Sequence, residues 1–220
     1  MNFKGIIYII ATPIGNLSDI TLRALEILKK VDLILAEDTR KTKILLEKYH
    51  IKKPLISYHQ HSRINKINYI ISQLKSGKNI ALVSEAGTPG VNDPGNQLVE
   101  QITKEKDIQI VPIPGPCAAI TALSISGFPS DHFTFLGFLP KKKGRKTLFL
   151  NFPKGTIVFY ENPYRIIKTL KELHEIIDDK EIVICREMTK KFEEIYRGTI
   201  SEVMPKIKPK GEFTVVIKNQ

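Results

Sequence analysis

Ile80-Ala81-Leu82-Val83-Ser84-Glu85-Ala86-Gly87-Thr88-Pro89-Gly90-Val91-Asn92-Asp93-Pro94-Gly95 joins an all-apolar run of four residues to a loop of glycine, proline and carboxylates. A run this short with no polar face is expected of a central parallel strand covered by helices on both sides. In an open α/β sheet, ligands bind beyond the carboxyl ends of the strands, so the loop after such a strand is where chemistry is sought. Upstream, β-branched runs alternate with helix-period segments. Strands are predicted at Ile6–Ala11, Leu33–Ala36 and Leu55–Tyr58, and helices at Leu22–Lys30, Thr39–Tyr49 and Ile64–Lys75. A helix from Asn96 to Lys104 and a strand at Ile108–Val111 complete a mostly parallel sheet.

Pro112-Ile113-Pro114-Gly115-Pro116 is the densest cluster of backbone breakers, and it precedes the small-residue helix Cys117–Ser126. The domain boundary is placed there, giving an N-terminal α/β domain over residues 1–113 and a C-terminal α/β domain over 114–220. In the second half, strands are predicted at Thr134–Gly137, Thr156–Tyr160, Glu181–Cys185, Glu194–Tyr196 and Phe213–Lys218. Helices are predicted at Lys146–Asn151 and Arg165–Ile177, and the pattern implies a mixed sheet.

Hydrophobic residues make up 42% of the chain and charged residues 26%, which excludes a disordered polymer. No apolar run approaches the roughly 20 residues that cross a bilayer, so no membrane partner is expected. Cys117 and Cys185 lie far apart, without His or Cys at metal-ligand spacing, as suits a reducing cytoplasm. His50, His59, His61, His132 and His174 form no ligand set either, so no metal is expected. The net charge of +11 is spread over both halves, +5 for residues 1–113 and +6 for 114–220. Such a field attracts polyanions. Lysine, however, supplies 27 of the 34 basic residues, a bias that an AT-rich genome also produces.

Two more loops resemble the one after Val83. Ala11-Thr12-Pro13-Ile14-Gly15-Asn16-Leu17-Ser18-Asp19 follows the first strand, where Gly15 lets backbone approach a ligand and Asp19 or Thr21 can cap a helix. Pro114-Gly115-Pro116-Cys117-Ala118-Ala119 sets a rigid turn before a helix. Each alone is ordinary turn chemistry, and Asp93 is equally suited to capping a helix. Together, three small-residue loops at strand ends can wall a cofactor cleft between two domains. The phosphate-loop, dinucleotide, nucleophile-elbow and zinc-protease motifs are all missing, which leaves a metal-free transfer reaction.

These residues resemble the tetrapyrrole-methylase superfamily and, within it, the ribosomal RNA small-subunit methyltransferase I branch. The likeness runs through Thr12 to Thr21, Ala36-Glu37-Asp38-Thr39-Arg40-Lys41-Thr42, Ser84 to Gly95 and Pro112 to Ala119. It continues in Gly137 to Pro140, Phe159-Tyr160-Glu161-Asn162-Pro163-Tyr164-Arg165, Arg186-Glu187-Met188-Thr189-Lys190 and Lys210-Gly211-Glu212-Phe213. It implies two α/β domains sharing an S-adenosylmethionine cleft, with Pro13, Gly15, Asn16, Leu17, Glu85, Ala86, Gly87, Thr88, Pro89, Pro114, Gly115, Pro116, Ala118 and Ala119 around the donor. It also implies a homodimer that methylates the ribose 2′-hydroxyl of a cytidine in the decoding region of 16S ribosomal RNA.

A hydroxyl is a poor nucleophile until a base draws its proton away; Glu37, Asp38, Glu85, Asp93 and Glu161 are the candidates. Arg40, Lys141, Lys142, Lys143, Arg145 and Arg165 suit phosphate contacts, and Tyr58, His59, His61, Tyr160 and Tyr164 suit base stacking. Two positions depart from the branch pattern: Glu85 stands where Asp is usual, and Tyr164 where His is usual. Many members also carry a further helical segment beyond the position of Gln220, which implies either weaker RNA affinity here or a dispensable segment. The competing expectations are a small-molecule methylase acting on a corrinoid or porphyrin precursor, which has no need of the basic loop, and a non-catalytic RNA-binding module.

Overall fold

The computed structural model describes residues 4–59, 64–93 and 95–219, and the chain divides into two compact units, Met1–Cys117 and Ala118–Gln220. In the first unit five strands, β1 (Gly5–Ile10), β2 (Leu33–Ala36), β3 (Leu55–Ser57), β4 (Ile80–Val83) and β5 (Ile108–Ile113), form one sheet in the order β3-β2-β4-β1-β5. Every pairing in it is parallel. The four residues of β4 are all buried because both faces are covered. Ala81 and Val83 join Ala24 and Leu28 of α1 (Leu22–Lys30) and Leu45 and Leu46 of α2 (Thr39–Lys48). Ile80 and Leu82 join Ile67, Ile70 and Leu74 of α3 (Ile64–Lys75) and Leu98 and Ile102 of α4 (Asn96–Ile102). Each Val, Leu or Ile side chain so removed from water contributes about 1.5–3 kcal/mol, so the apolar period of two along β4 holds both helical layers.

The helices start where local chemistry satisfies their first amides. Thr21 Oγ1 accepts from the Ala24 N–H at 3.1 Å to open α1, whose last turn carries Lys29 and Lys30. Asp38 does the same for α2, accepting from the Arg40 N–H at 2.9 Å.

The second unit holds α5 (Ala118–Ser124), α6 (Arg145–Leu150), α7 (Ile166–Ile177) and α8 (Ile200–Val203) beside the strands β6 (Phe133–Phe138), β7 (Gly155–Glu161), β8 (Glu181–Arg186), β9 (Glu194–Thr199) and β10 (Phe213–Asn219). The sheet order is β6-β7-β10-β8-β9, with β6 and β7 parallel and the other pairs antiparallel. It is a mixed sheet, as the sequence pattern implied. Val215 and Ile217 of β10 meet Ile157 and Phe159 of β7, Ile182 and Ile184 of β8, and Leu170 and Leu173 of α7 in one core. The four-residue α8 lies outside the sequence expectations, since it is too short to show a helical period. A capping box between Thr199 and Glu202 sets it. Cys185 is buried, and desolvation pushes its thiol up to about 11, so it packs as a small apolar side chain. Among the described residues, no helix is long and apolar enough to cross a membrane.

Candidate active site

The strands that precede the three small-residue loops, β4, β1 and β5, are neighbours in a parallel sheet, so the loops leave the same edge side by side. They are also bonded to one another. Thr12 and Gly87 exchange both backbone hydrogen bonds, at 2.9 and 3.0 Å, as an isolated antiparallel bridge. Thr12 Oγ1 donates to the Ser84 carbonyl at 3.0 Å, and Thr88 Oγ1 donates to the Pro116 carbonyl at 3.2 Å. The third loop lies against the first: a Cβ on Gly115 would sit 3.0 Å from the Ala11 Cβ. Gly87 adopts φ +86°, open only to residues that tolerate the left-handed region, and its missing Cβ would lie 3.6 Å from Ile14 Cγ2. Pro13 and Pro89 are buried beneath this layer; Gly15, Asn16, Ala86, Pro114 and Gly115 are exposed, and Leu17, Glu85, Thr88 and Pro116 are half-buried. Ala118 and Ala119 open the second unit, where the Ala119 N–H donates to the Tyr160 hydroxyl at 3.2 Å.

Because β2 lies next to β4, the loop after β2 brings Glu37 and Asp38 towards Glu85 and Asp93. These carboxylates have different environments. Asp38 receives a two-pronged contact from Arg40, Nε at 3.1 Å and Nη2 at 2.9 Å, and this hydrogen bonding lowers it to about 2. Glu85 pairs with Lys41, Nζ to Oε2 at 2.5 Å. Asp93 is raised to about 6, chiefly by burial, with the negative charges of Glu37 and Glu85 adding to the effect and a hydrogen bond from Ser84 opposing it. It is the carboxyl here poised between its two protonation states near neutral pH. The adjoining turn uses left-handed backbone that its residue types tolerate, with Gly90 at φ +82°, Asn92 at +55° and Gly95 at +138°. Pro94 lies outside the described residues.

Glu161 sits elsewhere, buried in the second unit. Its Oε1 accepts from the Asn162 N–H at 2.7 Å and pairs with Arg165 at 2.6 Å; its Oε2 accepts from Thr169 Oγ1 at 2.6 Å and faces Arg145 at 3.8 Å. Three protein donors and the nearby charge of Arg145 thus engage this carboxylate.

The basic residues also divide. Lys141, Lys142 and Lys143 are exposed. Arg145 is only 7% exposed and turns inward: it donates to the Pro140 carbonyl at 3.0 Å, to Thr169 Oγ1 at 2.7 Å and to Glu172 at 2.7 Å. Arg165 donates to the Leu139 carbonyl at 3.1 Å. Two arginines that sequence pattern offered to phosphate thus clamp the base of the loop that presents the lysines. Arg40 remains exposed beside Asp38. Among the stacking candidates, Tyr58 is 1% exposed in the core, Tyr164 is 93% exposed and His59 is exposed, while His61 lies outside the described residues.

Ser84 and Lys41 lie in motifs that the sequence offers, but spacing gave no sign of the contacts they make, nor of the partners Thr169 and Glu172, because these act across the fold. Among the described residues, no group of three or more His, Cys, Asp or Glu side chains is placed to hold a metal ion.

Comparison with known proteins gives the setting for this geometry. The family model for tetrapyrrole (corrin/porphyrin) methylases matches residues 6–204. Ribosomal RNA small subunit methyltransferase I of Thermotoga maritima is 48% identical over 221 residues, covering 98% of this chain and 99% of that protein. The Bacillus subtilis protein of the same name is 49% identical over 222 residues, covering 97% of this chain and 75% of its own. Among solved structures, a cobalt precorrin-4 methyltransferase superposes with a TM-score of 0.69 at 17% identity, covering 98% of this chain and 95% of that one. A uroporphyrin-III C-methyltransferase from Thermus thermophilus, complexed with S-adenosyl homocysteine, superposes with a TM-score of 0.67 at 16% identity, covering 96% of each chain. At such identities the structural likeness establishes the fold, and the sequence relatives establish the group. The chain belongs to the tetrapyrrole methylase family and, within it, to the ribosomal RNA small subunit methyltransferase I group of methyltransferases.

Proposed function

We propose that this protein methylates the ribose 2′-hydroxyl of a cytidine in the decoding region of 16S ribosomal RNA, with S-adenosylmethionine as donor, and works in the cytoplasm as a homodimer. The observation that carries the reading is the stitched edge of the first sheet. Three loops of small residues, held to one another through Thr12, Ser84, Gly87 and Pro116, stand beside a carboxyl raised to about 6. The residues fit such a donor: Gly15, Ala86 and Gly115 expose backbone to a flat ring, and the carboxylate of Glu37 suits a cation. When bound, S-adenosylmethionine supplies an electrophilic methyl group on a sulfonium.

The chain's own residues position and deprotonate. The loops fix the line of approach, a contribution of up to several kcal/mol in well-oriented reactions. Of the five candidate carboxyls, Asp38 and Glu85 are held by cations, Glu161 is engaged by donors and Glu37 is assigned to the donor's positive charge, whereas Asp93 is matched to accepting a proton near neutral pH. Asp93 is the proposed base. Lys141, Lys142, Lys143 and Arg40 contact phosphates, and Tyr164 stacks on an unpaired base. Methyl transfer from labelled donor to small ribosomal subunits, mapped to one cytidine ribose that is unmodified in cells lacking the protein, is the expected result. Transfer to free tetrapyrroles in place of subunits would overturn the substrate. A folded protein with no donor binding by calorimetry would overturn the enzyme.

A further inference from the structure

One motif of the second unit is absorbed neither by the donor loops nor by the lysine loop: Arg186-Glu187-Met188-Thr189-Lys190, with Lys210-Gly211-Glu212 beside it. Since Arg186 pairs with Glu194 across β8 and β9, residues 187–193 need only reverse the chain. They are far more constrained than that. Glu187 and Thr189 take φ of +51° and +64°, a region that costs a side-chain-bearing residue free energy and recurs at functional loops.

The constraint has identifiable supports. The Glu187 N–H donates to the Glu212 carbonyl at 2.9 Å, and the Glu212 N–H donates to Glu187 Oε1 at 2.9 Å. Lys190 Nζ bridges the two carboxylates at 3.0 and 2.8 Å. Gly211 is required at this contact, because a Cβ there would lie 2.5 Å from Glu187 Cγ. Buried Arg186 ties the two loops from beneath, donating to the Lys210 carbonyl at 2.5 Å and to the Phe192 carbonyl at 3.2 Å.

What this rigid frame presents outward is an aromatic ring. Phe192 is 64% exposed, with Lys191 Nζ 5.6 Å from the ring centroid. The carboxylates of Glu187, Glu194 and Glu212 are neutralised by Lys190, Arg186 and Lys208, whereas Lys191 and Lys210 make no ion pair among the described residues. Glu193 is the one carboxylate of the segment without a cationic partner among those residues. A lone exposed phenyl ring on locked backbone, flanked by lysines, has the chemistry of a stacking platform for single-stranded nucleic acid. A second copy of the chain is a poorer occupant, since two-fold pairing of this patch brings the same unpaired lysines of both copies face to face.

We propose that Phe192, with Lys191 and Lys210, stacks an unpaired base of the RNA substrate, as a contact additional to the Lys141–Lys143 loop. This rests on the ribosomal RNA reading above. The test uses the full chain and a fluorescein-labelled, unstructured oligoribonucleotide of decoding-region sequence. Phe192→Ala is expected to weaken its Kd about 5- to 100-fold, the range of losing one stacked base. Phe192→Tyr should restore binding, and Lys191→Ala with Lys210→Ala should flatten the salt dependence. Donor affinity and melting temperature should stay at wild-type values, because the ring supports no core. Wild-type RNA affinity in Phe192→Ala overturns the platform, and so does a change in sedimenting mass with RNA affinity intact, which would mark a contact between copies. If the wild-type protein methylates small subunits and Phe192→Ala does so equally well, the platform alone falls; if the wild type does not, the substrate reading falls and takes the platform with it.

Discussion

Asp93 and Asp38 lie beside the same sheet edge with opposite titration behaviour, and each makes a measurable pH prediction. The folded pKa of Asp93 is raised from 3.8 to about 6, so the fold disfavours its ionised form. Its proton uptake favours folding as pH drops from about 6 towards 4, and its proton-accepting form is lost over the same range. Methyl transfer should therefore fall as pH drops below about 6. Asp93→Asn should lower kcat by about 10²- to 10⁴-fold with donor affinity by calorimetry little changed; an unaltered kcat would remove Asp93 from the chemistry. Asp38, lowered to about 2 by Arg40, contributes stability above its ordinary pKa that is lost as pH falls through about 2, so Asp38→Asn should leave the pH–rate profile near pH 6 in place. At Glu161 the expectation concerns stability, because a buried carboxylate between two arginines is costly to break. Glu161→Gln should destabilise the second unit by about 3–5 kcal/mol in urea unfolding. Wild-type stability combined with lost turnover would assign it to the reaction.

At the scale of elements, loops are held by loops. Gly87 illustrates this: no atom blocks a Cβ there, but φ +86° strains any L-residue, so Gly87→Ala should cost about 1–2 kcal/mol and weaken donor binding through the Thr12 bridge. Calorimetry with the donor checks this, and unchanged affinity would detach the loop from the donor site. The lysine loop makes a separate prediction. Replacing any one of Lys141, Lys142 and Lys143 by alanine removes one cation facing a phosphate, and should reduce the slope of log Kd against log salt by about 0.7 for single-stranded RNA. If the triple alanine variant keeps the wild-type slope, these lysines are solvated surface. The strands and long helices were legible because their apolar periods are properties of neighbouring residues. Ile80–Val83 has no polar face, which already reads as a central strand. α8 was not legible, since four residues carry less than a repeat.

Across the whole molecule, the chain forms two α/β units, one sheet wholly parallel and one mixed, dividing after Cys117 just beyond the Pro112–Pro116 breakers. Sequence by itself determined the element types, the class of each sheet, the glycine and proline loops at strand ends, and the motifs that carry the family likeness. These follow from side-chain period, backbone stereochemistry and turn chemistry, which act along the chain. Only the tertiary structure decided that β4, β1 and β5 are adjacent, so that Thr12, Ser84, Gly87 and Gly115 meet across as many as a hundred residues. It alone turned Arg145 inward onto Glu172 and Thr169, leaving the neighbouring lysines to face solvent. It also singled out Asp93 among chemically similar carboxylates, through its burial and its nearness to Glu37 and Glu85. The reason is common to all three: strand pairing, desolvation and Coulomb interaction act through space, between groups whose separation in sequence says nothing of their distance.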